Sequence, residues 1–336
     1  MAPIPVLVLT GALGAGKTTL LNAALRGGAI RNTAVVINEF GAAGIDNELI
    51  ESSSDEVVLL SGGCACCEVR ADLAEALLRL ERSVRRGSIP GFERIVVETS
   101  GLAEPGPILQ LFIESPALAG RFRLDALVTL IDARLGAAEL AEEGTAFRQA
   151  LLADRLIVTK WESVAEDSAG LLESRLAELC PHAERLRAPR GAAESAWFGP
   201  ALDAPSRIVE KLATHAAHDE AIESFVLRWE ERQPLAALGD WLQGLANGYG
   251  ARLLRVKGIV AVAGDPRPVA VHLVRHLVAA PEFLSGAARI SRVVFITRGL
   301  EPGDVRPAWP VAVEQSRKAG SPAPAALSPG WTATSR

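Results

Sequence analysis

The sequence predicts an α/β protein, a mainly parallel sheet followed by a smaller α+β domain. Three observations predict it. Over residues 1–205, short β-branched runs alternate with longer helical patterns, as repeated strand–helix units do. An apolar run, a glycine-rich turn and a helical pattern follow one another at the start of the chain. A loosened stretch over 188–205, with Pro189, Gly191, Gly199, Pro200 and Pro205, then separates this unit from a second set of strands.

Candidate strands in the first unit are 6–10, 33–38, 57–60, 94–98, 124–132 and 155–159. Helix-like stretches between them include 20–26, 70–84 and 165–179. Such alternation predicts parallel pairing with helices on both faces of the sheet. The stretch 188–205 reads as a linker or long loop. In the second unit, 224–229, 252–262, 268–273 and 292–297 read as strands and 235–246 as a helix. The expected domains are 1–205 and 222–308. The tail 310–336, rich in Pro, Ala, Ser and Gly, is expected to be disordered.

The turn after the first strand carries the chemistry. Gly11, Ala12, Leu13, Gly14, Ala15, Gly16, Lys17 and Thr18 match GxxxxGK[ST] between a strand and a helix, with Thr19 continuing the helix. Glycines let successive backbone N–H groups turn toward an anion, and the helix N-terminus adds a favourable dipole. In such a loop Lys17 neutralises the β- and γ-phosphates and Thr18 places its hydroxyl on Mg²⁺. Glu98 ends the apolar run 94–98 and is followed by Gly101, which suits a metal-binding acid and a glycine of the same nucleotide site. Asp is the usual residue in that role, and Glu98 is one methylene longer. At the end of 155–159, Thr159, Lys160 and Glu162 form a base-reading candidate. Guanine presents two adjacent donors, and one carboxylate can accept from both.

Cys64, Cys66 and Cys67 follow the strand 57–60 behind Gly62 and Gly63. Thiols this close are poorly placed for a disulfide scaffold, and thiolates are soft ligands for Zn²⁺ or similar ions. Three thiolates leave a tetrahedral Zn²⁺ one open position, which suits metal transfer. The alternatives are a redox cluster or buried cysteines acting as small apolar residues.

In these motifs the sequence resembles the CobW-like P-loop GTPases, metal chaperones related to the GTPases of nickel insertion into urease and hydrogenase. The resemblance runs from the phosphate loop through 38–46, the Cys64-x-Cys66-Cys67 motif, 98–105 and Thr159-Lys160 to 253–258. It implies Mg²⁺-dependent hydrolysis of GTP coupled to handling of Zn²⁺ or Co²⁺ for a client metalloprotein. It also implies a ferredoxin-like C-terminal domain, a nucleotide-responsive switch over 38–46 with Glu39 as an added metal ligand, and dimerisation in response to nucleotide. Catalytic roles fall on Lys17, Thr18 and Glu98.

The sequence departs from that pattern in places. Ala42 stands where many relatives carry an acid, Glu162 replaces the customary Asp, and no His-rich stretch is present. His215 with His218, and His272 with His276, read as surface or packed residues, and Cys180 as structural. Net charge −5 gives no basic footprint for nucleic acid. No apolar run reaches the roughly 18 residues of a membrane span, and 1–5 lack the features of a secretory signal. A cytoplasmic setting is expected. The rival reading is a nucleotide-switched regulatory protein whose cysteines sense redox state without transferring metal. A small-molecule kinase ranks below both.

Overall fold

The computed structural model describes residues 3–38, 57–61, 69–200, 222–310 and 312–315. They fall into two compact units, one within Met1–Leu176 and Ala183–Pro205, the other within Ala177–His182 and Ser206–Arg336.

The first unit is built on seven strands: β1 (Ile4–Gly11), β2 (Thr33–Asn38), β3 (Val57–Ser61), β4 (Arg94–Thr99), β5 (Phe122–Asp132), β6 (Arg155–Thr159) and β7 (Glu184–Ala188). Their order is β3-β2-β4-β1-β5-β6-β7, and every pairing is parallel. A sheet covered on both faces needs continuous apolar strands, which is why Val6, Leu7, Val8 and Leu9 are all buried. The helices are α1 (Lys17–Arg26), α2 (Val69–Arg85), α3 (Pro105–Glu114), α4 (Gly136–Glu139), α5 (Thr145–Leu151) and α6 (Glu166–Leu179). In α1 the buried positions Leu20, Leu21, Ala24 and Leu25 recur at helical spacing and pack in one core with β1 and β5 residues.

The segment 188–205 is a loop over its first part, but not a mere linker. A 3₁₀ turn at Ser195–Phe198 buries Trp197 and Phe198 in that same core. Arg155, itself buried, donates to the Trp197 carbonyl at 2.6 Å, and Arg94 donates to that of Phe198 at 3.0 Å. These bonds satisfy carbonyls that would otherwise be stranded inside. The strand β7 escaped the sequence reading because Glu184, Arg185 and Arg187 interrupt its apolar pattern. It sits at the sheet edge, where polar side chains are tolerated.

The second unit is an antiparallel sheet with one long helix. Its elements are β8 (Ile222–Trp229), α7 (Leu235–Tyr249), β9 (Leu253–Ala261), β10 (Pro268–Val274), β11 (Leu277–Val278), β12 (Glu282–Phe283), β13 (Ser291–Arg298) and β14 (Ala312–Gln315). The sheet runs β11-β10-β9-β13-β8-β14, with β12 on β10. The helix buries Leu238, Leu242, Leu245 and Ala246 on one stripe. Phe225 and Phe295 stack at 5.2 Å beneath it. The β-α-β-β element order is that of the opening half of a ferredoxin-like unit, with β13 rather than β10 lying between β8 and β9. Where its second helix would fall, the two short strands β11 and β12 stand instead. The tail expected to lack structure from 310 contributes β14, whose residues pair with the open edge of β8.

Candidate functional site

β1 ends in Gly11, and the loop 12–16 delivers the chain into α1 at Lys17. Gly16 takes φ +97°, a left-handed conformation that glycine adopts without strain, and caps the helix with no side-chain bond. The first N–H groups of α1 therefore have no side-chain acceptor and face the loop, an arrangement suited to phosphate. Lys17 is buried, and its ammonium donates to the carbonyls of Gly11 at 2.9 Å and Ala12 at 3.1 Å. That places one positive charge inside the loop.

Beside it stands the predicted acid. The Thr18 hydroxyl donates to Glu98 Oε1 at 2.6 Å, and Glu98 is buried at the end of β4. The register Leu9↔Glu98 between β1 and β4 brings the two together across 80 residues of chain. A hydroxyl and a carboxylate side by side are hard oxygen donors of the kind Mg²⁺ prefers, so these residues fit that ion. Gly101 lies against the same loop. A Cβ there would sit 2.5 Å from the nitrogen and 2.6 Å from the Cα of Leu13, so only glycine allows the approach.

The segment expected to read the base is fastened to the phosphate loop. The Thr159 hydroxyl donates to the Ala15 carbonyl at 2.8 Å, and Lys160 Nζ to that of Gly14 at 2.5 Å. Lys160 also reaches Asp132 Oδ2 at 2.7 Å and holds φ +55°, uncommon for a side chain of this size. A strained backbone persists where several contacts fix it. Asp132 itself is buried at the end of β5. Burial opposes its charge, yet the bonds from Arg134 and Lys160 outweigh that and hold its carboxyl well below the usual range. Arg134 forks onto it through Nε at 3.0 Å and Nη2 at 2.7 Å.

These groups open onto a pocket of about 420 Å³ lined by Gly16, Thr19, Lys160, Glu162, Arg134 and the loop 188–192. Its size suits a small organic ligand. Glu162 is exposed on this wall. The loop 188–192 and the Asp132–Arg134 pair were not singled out from sequence. Asp132 did carry a readable signal, since a carboxylate closing an apolar strand is what drew attention to Glu98. The loop carried none, because its Pro and Gly read as punctuation.

Glu39, Cys64, Cys66 and Cys67 lie outside the described residues, as do His215 and His218. Among the described residues no group of three or more His, Cys, Asp and Glu could hold a metal ion. His272 lies on β10 while His276 follows the strand, with Nδ1 3.2 Å from the Ala246 carbonyl oxygen, so their spacing is not that of one helix face. Cys180 is buried, as its structural reading requires.

Residues 5–187 match the family model "CobW/HypB/UreG, nucleotide-binding domain", and 222–311 match the cobalamin synthesis protein cobW C-terminal domain. The chain belongs to the CobW/HypB/UreG family. It is 32% identical over 288 residues to the zinc chaperone YjiA of Escherichia coli, covering 83% of this chain and 89% of that protein. It is 28% identical over 355 residues to the zinc chaperone CobW of Pseudomonas aeruginosa, covering 90% and 89%. The crystal structure of Zn(II)-bound YjiA GTPase from E. coli superimposes with a TM-score of 0.64 at 28% identity, over 91% of this chain and 98% of that one. Within this CobW-family chain, no described helix is long and apolar enough to cross a membrane.

Proposed function

We propose that this CobW-family protein couples the binding and hydrolysis of GTP to the transfer of Zn²⁺ to a client metalloprotein in the cytoplasm. It is a GTPase metal chaperone; the choice of Zn²⁺ over Co²⁺ and delivery to a client are the proposed part. The observation that carries the reading is the Thr18–Glu98 pair beside Lys17, with Thr159 and Lys160 bolted to the same loop. Lys17 and the N–H groups of α1 hold the phosphates. Thr18 and Glu98 hold Mg²⁺, which when bound neutralises charge on the transferring phosphoryl group. Glu162 accepts from the guanine donors at the wall of the pocket, and Lys160 and the loop 188–192 enclose the base. Gly101 brings the segment after Glu98 to the phosphates.

The metal half rests on Cys64, Cys66 and Cys67, with Glu39 as a further ligand. The strands β2 and β3 lead into 39–56 and 62–68, and both end at the same sheet edge as the phosphate loop. A segment ordered by the γ-phosphate and released on hydrolysis is an established switching device, and that is the role proposed for 38–46. Nucleotide-dependent pairing of two chains would complete such a cycle.

The test is a titration of the purified protein with Zn²⁺ and Co²⁺, with and without a non-hydrolysable GTP analogue. Zn²⁺ is expected to bind more tightly than Co²⁺, with an affinity that depends on the nucleotide. Replacing the three cysteines together is expected to abolish that binding. Unchanged affinity in the triple variant would remove the metal half of the proposal.

A further inference from the structure

A helix far away in sequence reaches the loop behind Glu98. Residues 100–104 join β4 to α3, and Gly101 presses on Ala12 and Leu13 of the phosphate loop. Gln149 of α5, with no exposed surface, donates through Nε2 to the carbonyls of Gly101 at 3.2 Å and Ala103 at 3.0 Å. Both partners only accept, so the amide must present its NH₂ to them. Its own Oε1 is buried without a hydrogen-bond partner among the described residues. An unmet buried acceptor destabilises, so the side chain suits positioning of the loop better than stability. The Thr129 hydroxyl of β5 donates to the Gln149 backbone carbonyl at 2.8 Å and fixes the helix in turn.

The neighbouring residues hold the loop's far end. Arg148 forks onto Glu104, with Nε 2.9 Å from Oε2 and Nη2 2.6 Å from Oε1, and the Thr145 hydroxyl donates to Oε1 at 3.1 Å. The Arg148 bond, outweighing burial, keeps the Glu104 carboxyl below its ordinary range. The loop is thus gripped at 101, 103 and 104 by one short helix.

We propose that α5 is a positioning clamp: Gln149, assisted by Arg148 and Thr145, sets 101–104 against the phosphate loop so that the protein tells GTP from GDP. The clamp rests on the GTPase reading and extends it to residues that touch no nucleotide. Holding the loop in place before GTP arrives removes an ordering cost that the γ-phosphate would otherwise bear. GDP, lacking that phosphate, gains nothing from it.

The experiment compares the full chain with Gln149→Leu and Arg148→Met, using Lys17→Ala as reference. Affinities for GDP and for a non-hydrolysable GTP analogue are measured beside kcat and KM for GTP. Gln149→Leu is expected to lower kcat and analogue affinity about tenfold each while GDP affinity stays within about twofold. Arg148→Met moves both in the same direction by about threefold. Equal losses for GDP and analogue, or no change in either, overturn the clamp. Should Gln149→Leu fail to fold, Arg148→Met decides by the same split. A Lys17→Ala protein that still bound and hydrolysed GTP would instead overturn the GTPase reading beneath it.

Discussion

Replacing Gly101 by alanine tests the contact between the loop behind Glu98 and the phosphate loop. The added Cβ would lie 2.5 Å from the Leu13 nitrogen, 2.6 Å from its Cα and 3.0 Å from the Ala12 carbonyl carbon. All three are backbone atoms, so no side chain can swing aside. Restoring a 3.4 Å contact from 2.5 Å requires a displacement of about 0.9 Å. The displaced atoms belong either to the phosphate loop or to the segment Gln149 holds. Misplacement by about 1 Å at a reacting centre can cost roughly a hundredfold in rate, and overpacking of this kind costs about 1–3 kcal/mol of stability. The expected outcome is a folded protein whose kcat/KM for GTP falls about a hundredfold. Steady-state GTP hydrolysis and thermal melting measure the two effects. A variant that hydrolyses GTP within about twofold of the parent would refute the reasoning, because the two segments could then separate freely without consequence.

Other outcomes follow from the same geometry. Lys160→Ala cuts the ties to Gly14 and Asp132; equilibrium binding should show GDP and GTP analogue weakened alike, about tenfold, unlike the split expected at Gln149. Glu162→Gln would turn an amide toward the guanine donors, and the ratio of GTP to ATP turnover is expected to fall at least about tenfold. Asp132 has a carboxyl held below its ordinary 3.8, so its contribution to stability is present above that pH and disappears as pH falls through the depressed value. The melting temperature of Asp132→Asn should therefore lie below that of the parent at neutral pH, with the gap closing under pH 3.8; a gap that widened on acidification would contradict the assignment.

The candidate nucleotide site was legible because its signals are local. Gly11 to Thr18 declare themselves within eight residues, and Glu98 and Thr159-Lys160 each close a recognisable strand. The sheet then does the assembling, since parallel pairing puts all the strand ends at one edge. What escaped notice depends on contacts across long stretches of chain. Gln149 looks like any polar residue in a short helix until its amide is found 48 residues away on Gly101. The loop 188–192 becomes a pocket wall only because β7, its pattern broken by charges, pairs beside β6. In the second unit the four main strands and the helix showed clear periodicity. The strand β14 did not, since four residues at the head of a Pro- and Ala-rich tail carry too little pattern to read.

The strand order β3-β2-β4-β1 has a consequence for how far a signal must travel. Adjacent strands lie about 4.8 Å apart, so Ser61 at the end of β3 stands only three such spacings, roughly 14 Å, from Leu9 of β1, which is level with it two residues before Gly11. In the proposed cycle, a change felt at the phosphates would have to cross only those strands to reach the one that leads to the cysteines. Three backbone hydrogen-bond ladders, across the two intervening strands β2 and β4, span the gap. Cargo release in such a machine would be timed by a neighbour's shift rather than by a global rearrangement.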